Sequence, residues 1–131
     1  MKTPDANVKR ILVIEDEPAI CEFCQRVLSG EGFEVDIAVN GKVAQDMIQG
    51  KKYDLFLIDI RTSEVSGVEL YQWLQDKHPE QISKVIFTSG SVLGKDTQLL
   101  IEQTGRPFLP KPFTPDELKT ILRETLWRLE K

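Results

Sequence analysis

Polar residues of complementary chemistry stand directly after four short apolar runs of this sequence. Glu15-Asp16 follow Ile11-Leu12-Val13-Ile14, and Asp59 follows Leu55-Phe56-Leu57-Ile58. Thr88-Ser89 follow Val85-Ile86-Phe87, and Lys111 comes just after Pro107-Phe108-Leu109. Three carboxylates gathered in one place repel each other. A hard divalent cation such as Mg2+, which prefers oxygen ligands and often takes one or two carboxylates, relieves that repulsion. With the metal present, Asp59 can attack a phosphoryl donor as a carboxylate nucleophile and become an acyl phosphate. The metal and Lys111 would neutralise charge on the transferring group, which is most of what such a transfer requires. A hydroxyl from Thr88 or Ser89 could hydrogen-bond a phosphoryl oxygen and report the modification by moving. Each residue alone has a plainer reading: Glu15 or Asp16 as a helix-capping acid, Lys111 as a surface cation, Ser89 as a turn residue. Their joint placement at four run ends carries the chemical reading.

That placement requires elements that bring the run ends together. The run Ile11–Ile14 is continuous and rich in β-branched residues, as expected of a strand buried on both faces. Glu15-Asp16-Glu17-Pro18 then suits the first turn of a helix running to about Leu28, broken by Gly30 and Gly32. Glu34 to Val39 reads as a second strand, and Asn40-Gly41 as a turn into a helix over Lys42 to Ile48. Leu55 to Ile58 is a third strand, followed after a polar loop by a helix over Val68 to Asp76. Val85 to Phe87 is a fourth strand, Thr97 to Gln103 a short helix, and Pro107 to Leu109 a fifth strand. The last helix starts at Pro115, with Thr114 as N-cap and Glu117 completing a capping box. Five β/α pairs imply one doubly wound domain with a parallel sheet and right-handed crossovers. In such sheets chemistry sits beyond the carboxyl ends of the strands. A single domain over residues 1–131 is expected, with residues 1–8 as a flexible N-terminal segment.

Bulk properties narrow the function classes. A length of 131 residues suits one domain with a real core. The net charge of −4 argues against direct nucleic-acid binding, which needs a basic field. No apolar run approaches the roughly 20 residues that span a bilayer, and the start MKTPDANVKR has no signal-peptide core, so a cytoplasmic location is expected. Cys21 and Cys24 form a C-x-x-C spacing, but zinc would need two further ligands, and His78 is the single histidine. Both cysteines fall within an amphipathic stretch with Ile20, Phe23, Val27 and Leu28, so core-facing free thiols are expected. His78, followed by Pro79, should lie on the surface where a helix stops.

These motifs together resemble the receiver domain of two-component response regulators: ILVIEDEP, DLFLIDI with Gly67 eight residues beyond Asp59, VIFTSG and FLPKPF. The resemblance covers about Lys9 to Leu129 and implies a flavodoxin-like (βα)5 fold with strand order 2-1-3-4-5. It makes Asp59 the phosphoacceptor and Asp16 a direct Mg2+ ligand, with Glu15 assisting through water and Arg61 contributing its backbone carbonyl. Lys111 would pair with the phosphoryl group and Asp59. The family spacing, about 30 residues after the phosphoacceptor and about 22 before the lysine, selects Ser89 over Thr88 as the hydroxyl. Phe108 would be the switch aromatic, able to repack but not to hydrogen-bond. The implied partners are a histidine kinase or a histidine phosphotransfer protein. The loop IRTSEVSG departs from the family, which more often has Met-Pro in place of Thr62-Ser63. Loss of that proline is expected to free the loop, and Arg61 to shield the acyl phosphate.

No DNA-binding or enzymatic output segment is readable, so the signal is expected to leave through a surface. Leu118, Ile121, Leu122, Leu126 and Leu129 form the core-facing stripe of the last helix, with Trp127 nearly opposite. Leu99-Leu100-Ile101 is too continuous to be wholly buried. The fourth-helix, fifth-strand and fifth-helix face is therefore the expected partner or homodimer surface. Three other classes compete with this reading. A haloacid-dehalogenase type phosphatase wants a second acid where Arg61 stands. A flavodoxin-like FMN carrier wants hydroxyl- and glycine-rich sequence where Glu15-Asp16-Glu17 stands. A receiver-like interaction module would work without phosphorylation.

Overall fold

The computed structural model describes residues 8–131; apart from Val8, the N-terminal segment expected to be flexible lies outside them. Strands β1 (Arg10–Ile14), β2 (Glu34–Ala38), β3 (Leu55–Asp59), β4 (Val85–Ser89) and β5 (Phe108–Pro110) form one parallel sheet in the order β2-β1-β3-β4-β5. Helices α1 (Pro18–Gly30), α2 (Gly41–Gly50), α3 (Gly67–Lys77), α4 (Lys95–Thr104) and α5 (Pro115–Leu129) connect and cover it. The doubly wound architecture and the strand order are as expected.

Alternation along the strands divides the core. Ile11, Val13, Leu55, Leu57, Ile86 and Leu109 pack with Cys24 and Leu28 of α1 and Leu118 and Leu122 of α5. Leu12, Ile14, Phe56, Ile58, Val85 and Phe87 pack on the other face with α2, α3 and α4. Both faces are covered, which is why the runs are apolar without interruption. Each fully buried large side chain contributes about 1.5–3 kcal/mol.

Local chemistry starts the helices. Pro18 occupies the first turn of α1, and the Asn40 side chain accepts the Val43 N–H at 2.9 Å to cap α2. The expected Thr114/Glu117 capping box is present on α5, and an unanticipated one, Ser66/Glu69, opens α3. Such caps contribute about 1 kcal/mol each. A 3-10 segment, Pro79–Lys84, also not anticipated, joins α3 to β4.

Several expectations change in detail. Cys24 is fully buried, but Cys21 is half-exposed and donates from Sγ to the Glu15 carbonyl at 3.3 Å. Burial pushes the Cys24 thiol up to about 12, so it is inert packing. His78 is the C-cap of α3 and only half-exposed, its ring tilted against Trp73 with centroids 5.1 Å apart. On α5, Leu118 and Leu122 are buried, whereas Leu129, the last residue of the helix, is exposed.

Candidate functional site

The parallel register aligns the strand ends. Ile14 pairs with Ile58, Asp59 with Thr88, and Ser89 with Pro110, so the residues that follow converge on one edge. Ligand-capable oxygens of Glu15, Asp16, Glu17 and Asp59 all lie within 4.8 Å of one another. Glu15 and Asp59 are buried at the base of the cluster, while Asp16 and Glu17 are exposed at its rim.

Lys111 reaches into the cluster from the end of β5. Its Nζ lies 2.9 Å from Asp59 Oδ2, 2.7 Å from Glu15 Oε1 and 3.3 Å from Glu17 Oε1. The other Asp59 oxygen, Oδ1, accepts the Arg61 N–H at 2.9 Å. Glu15 Oε2 accepts the Glu17 N–H at 3.1 Å. Glu15 Oε1 has no hydrogen-bond partner among the described residues; its contact with Lys111 is close enough for charge attraction but poorly angled for a hydrogen bond.

Burial pushes the Glu15 carboxyl up to about 7, further raised by the Asp59 charge, while Lys111 and the Glu17 N–H pull it down. Burial alone would lower the Lys111 pKa, but its contacts with Glu15 and Asp59 outweigh that and raise it, so the ammonium stays charged. One ammonium among four carboxylates leaves the cluster short of positive charge. A small hard cation with oxygen preference supplies what is missing: the donor set is all carboxylate, and an orphaned buried oxygen belongs to it. The donors present fit Mg2+.

Two glycines allow this close packing. A Cβ on Gly67 would stand 2.6 Å from the Asp59 carbonyl oxygen and 2.7 Å from Ile60 Cα. Gly90 faces the Lys111 stem, where a Cβ would meet Cδ at 3.3 Å. The β3–α3 loop contains no proline, yet it is held: buried Thr62 donates its hydroxyl to the Val65 carbonyl at 2.7 Å. Glu64 takes up the turn at φ 67°.

Thr88 and Ser89 are both buried but differently engaged. The Thr88 hydroxyl donates to the Leu109 carbonyl at 2.6 Å, tying β4 to β5. Ser89 Oγ accepts the Ser91 N–H at 3.2 Å, and its carbonyl accepts the Lys111 N–H at 3.0 Å. The Thr88 hydroxyl is thus engaged with the backbone of β5. Arg61 is exposed, and Phe108 is half-buried against the α3/α4 side of the core. Among the described residues, no helix is long and apolar enough to cross a membrane.

Glu17 joined the site without having been singled out. It reads as one more first-turn acid, but it is the N-cap residue of α1 with an extended backbone and makes no side-chain cap. Its carboxylate is therefore free to reach Lys111, 94 residues away in sequence. The available signal was its adjacency to Glu15-Asp16 before Pro18, where the proline at the next position spares the helix one capping partner.

Comparisons with known proteins agree with this geometry. The family model for the response regulator receiver domain matches residues 11–123. Response regulator Rre1 of Synechocystis sp. is 36% identical over 120 residues, covering 90% of this chain and 52% of the relative. The chain thus spans about half the length of that curated relative. A CheY-like response regulator receiver domain protein of Methanospirillum hungatei superposes with TM-score 0.86 at 27% identity, covering 95% of this chain and 98% of that one. Response regulator protein TrrA of Thermotoga maritima, solved in complex with Mg2+-BeF, superposes with TM-score 0.78 at 31% identity, covering 90% of this chain and 99% of that one. By its motifs, its sheet order, its acidic cluster and these likenesses, the chain belongs to the response regulator receiver domain family.

Proposed function

We propose that this chain is a single receiver domain acting as a phosphorylation switch, with Asp59 accepting the phosphoryl group of a phosphohistidine on a histidine kinase or histidine phosphotransfer protein. The observation that carries the reading is Lys111 Nζ set 2.9 Å from Asp59 Oδ2 inside a four-carboxylate cluster. An Asp59 carboxylate oxygen forms the new bond to phosphorus while the donor's N–P bond breaks; the electron pair stays with the departing imidazole, which takes up a proton. Asp16 and Asp59 would hold Mg2+ directly, Glu15 through water, and Arg61 through its backbone carbonyl. Bound there, Mg2+ supplies charge neutralisation to the transferring group.

This chain's own residues do the rest. The Arg61 N–H orients Asp59 by holding Oδ1, leaving Oδ2 toward Lys111. Lys111 then stabilises charge on the phosphoryl oxygens. Ser89 is the hydroxyl that meets the phosphoryl group, since the Thr88 hydroxyl is committed to Leu109. Phe108 follows by repacking. The change is read on the α4-β5-α5 face by an output partner or a second copy, where Leu99 and Trp127 are exposed at 55% and 60%. The domain catalyses only its own phosphorylation and dephosphorylation, in the cytoplasm.

Incubation with Mg2+ and acetyl phosphate, followed by intact mass, tests the reading. One added phosphoryl group is expected, absent in Asp59→Asn and without Mg2+. No gain with any donor would leave the phosphorylation-independent interaction module. For the partner face, Trp127→Ala and Leu100→Ser should weaken phosphorylation-dependent association in sedimentation; unchanged association would move the surface elsewhere.

A further inference from the structure

The site's single buried ammonium has three carboxylate neighbours, and they are not equivalent. Glu15 and Asp59 lie 2.7 and 2.9 Å from Lys111 Nζ, with side chains 2% and 6% exposed. Glu17 lies 3.3 Å away with its side chain 63% exposed. An ammonium has three N–H donors and no more. In the resting domain two of them go to Asp59 and Glu17, and Glu15 Oε1 stands against the ammonium at 2.7 Å as an ion pair, so three carboxylates crowd it. A phosphoryl group arriving on Asp59 brings oxygens that need a charge partner and compete with these neighbours for the ammonium. The buried pair is held by the fold: Glu15 by the Glu17 N–H on Oε2, and Asp59 by the Arg61 N–H on Oδ1. Glu17 has no such anchor. It makes no cap on α1, and its carboxylate loses little by returning to water.

We propose that Glu17 is a positioning residue that takes a hydrogen bond from Lys111 in the resting domain and surrenders it to the transferring phosphoryl group. This rests on the phosphoacceptor reading above. Glu17 thereby keeps Lys111 drawn up at the mouth of the cluster while no phosphoryl group is present, and its hold competes with the group that Lys111 must stabilise. It touches neither Asp59 nor the donor in this role; it acts through Lys111.

Two measurements separate this inference from the reading it rests on. The first uses the resting protein. The Nζ–H signal of Lys111, followed by 15N NMR, should exchange faster with water in Glu17→Ala than in the parent, because one of three partners is gone. The second follows acetyl phosphate labelling at saturating Mg2+. Glu17→Ala should be labelled faster by roughly 2- to 5-fold, the range expected for losing one exposed ion pair. Glu17→Asp retains the charge but is one methylene too short for the contact, so it should follow Glu17→Ala in both measurements. Equal Lys111 exchange in parent and Glu17→Ala would overturn the inference, whether or not either is labelled. So would labelling of Glu17→Asp at the parental rate alongside faster Glu17→Ala, because charge at a distance would then explain the effect. Failure of the parent to take up any phosphoryl group would strike the phosphoacceptor reading, and with it the release half of this inference. Glu17 is exposed and caps nothing, so these variants should fold as the parent does.

Discussion

Two groups of carboxylate and lysine sit on the same sheet and have opposite characters. On edge strand β2, Asp36 Oδ2 accepts from the Tyr53 hydroxyl at 2.7 Å and from Lys51 Nζ at 2.9 Å. Burial would raise its pKa, but the hydrogen bonds from Tyr53 and Lys51 outweigh that and hold the carboxyl below the usual range. At the strand ends, Glu15 shares Lys111 with two other acids, keeps a buried oxygen without a hydrogen bond, and is pushed up to about 7. The first group is at rest: its charge is met by donors already in place. The second is held in tension that a cation relieves. Residue types alone do not distinguish them; the number of acids per cation and the depth of burial do.

The contrast can be broken most severely at the two lysines. Lys111→Met at pH 8 without Mg2+ should cost about 3 kcal/mol in denaturant unfolding, because it leaves buried like charges uncompensated. Lys51→Met should cost under about 1 kcal/mol, since that pair is partly solvated. Equal losses would mean that the two clusters do not differ. Adding Mg2+ should restore more stability to the Lys111→Met protein than to the parent, as seen in Tm.

A smaller effect is expected from Glu15→Gln. The folded domain holds the Glu15 proton more tightly than the unfolded chain does, so stability from this group is complete below pH about 4.5 and lost as pH rises through about 7. Glu15→Gln should therefore be more stable than the parent at pH 8, by about 1–3 kcal/mol, with the difference gone at pH 4.5. A difference independent of pH would reject burial as the cause. For Asp36→Asn the sign reverses. Its depressed carboxyl contributes stability above the ordinary aspartate range, lost as pH falls through the folded value. About 1 kcal/mol should be missing from Asp36→Asn at pH 7 and recovered relative to the parent in acid. Unfolding curves at three pH values check both signs.

Much of this fold is legible because local rules and the tertiary arrangement ask for the same residues. Leu55 to Ile58 had to be a doubly covered strand, and Thr114 with Glu117 had to start a helix, whatever lay around them. The 3-10 segment at Pro79–Lys84 was not legible, since it is too short to show a period. At the site, Asp59 stood out because an acid ending an apolar run is costly unless something uses it. Thr62 did not, because its value lies in one hydrogen bond to Val65 that no spacing announces.

By itself, the sequence determined the alternation of strands and helices and the polar set at the strand ends, since periodicity and caps act within a few residues. It also determined the shortage of positive charge, because a lysine among acids is countable from the chain. Only the tertiary structure decided which hydroxyl is spoken for, Thr88 by Leu109, and which acid shares Lys111 from the rim, Glu17. Those outcomes depend on distances of about 3 Å between residues far apart in the chain, and such distances exist only once the sheet has brought its ends together.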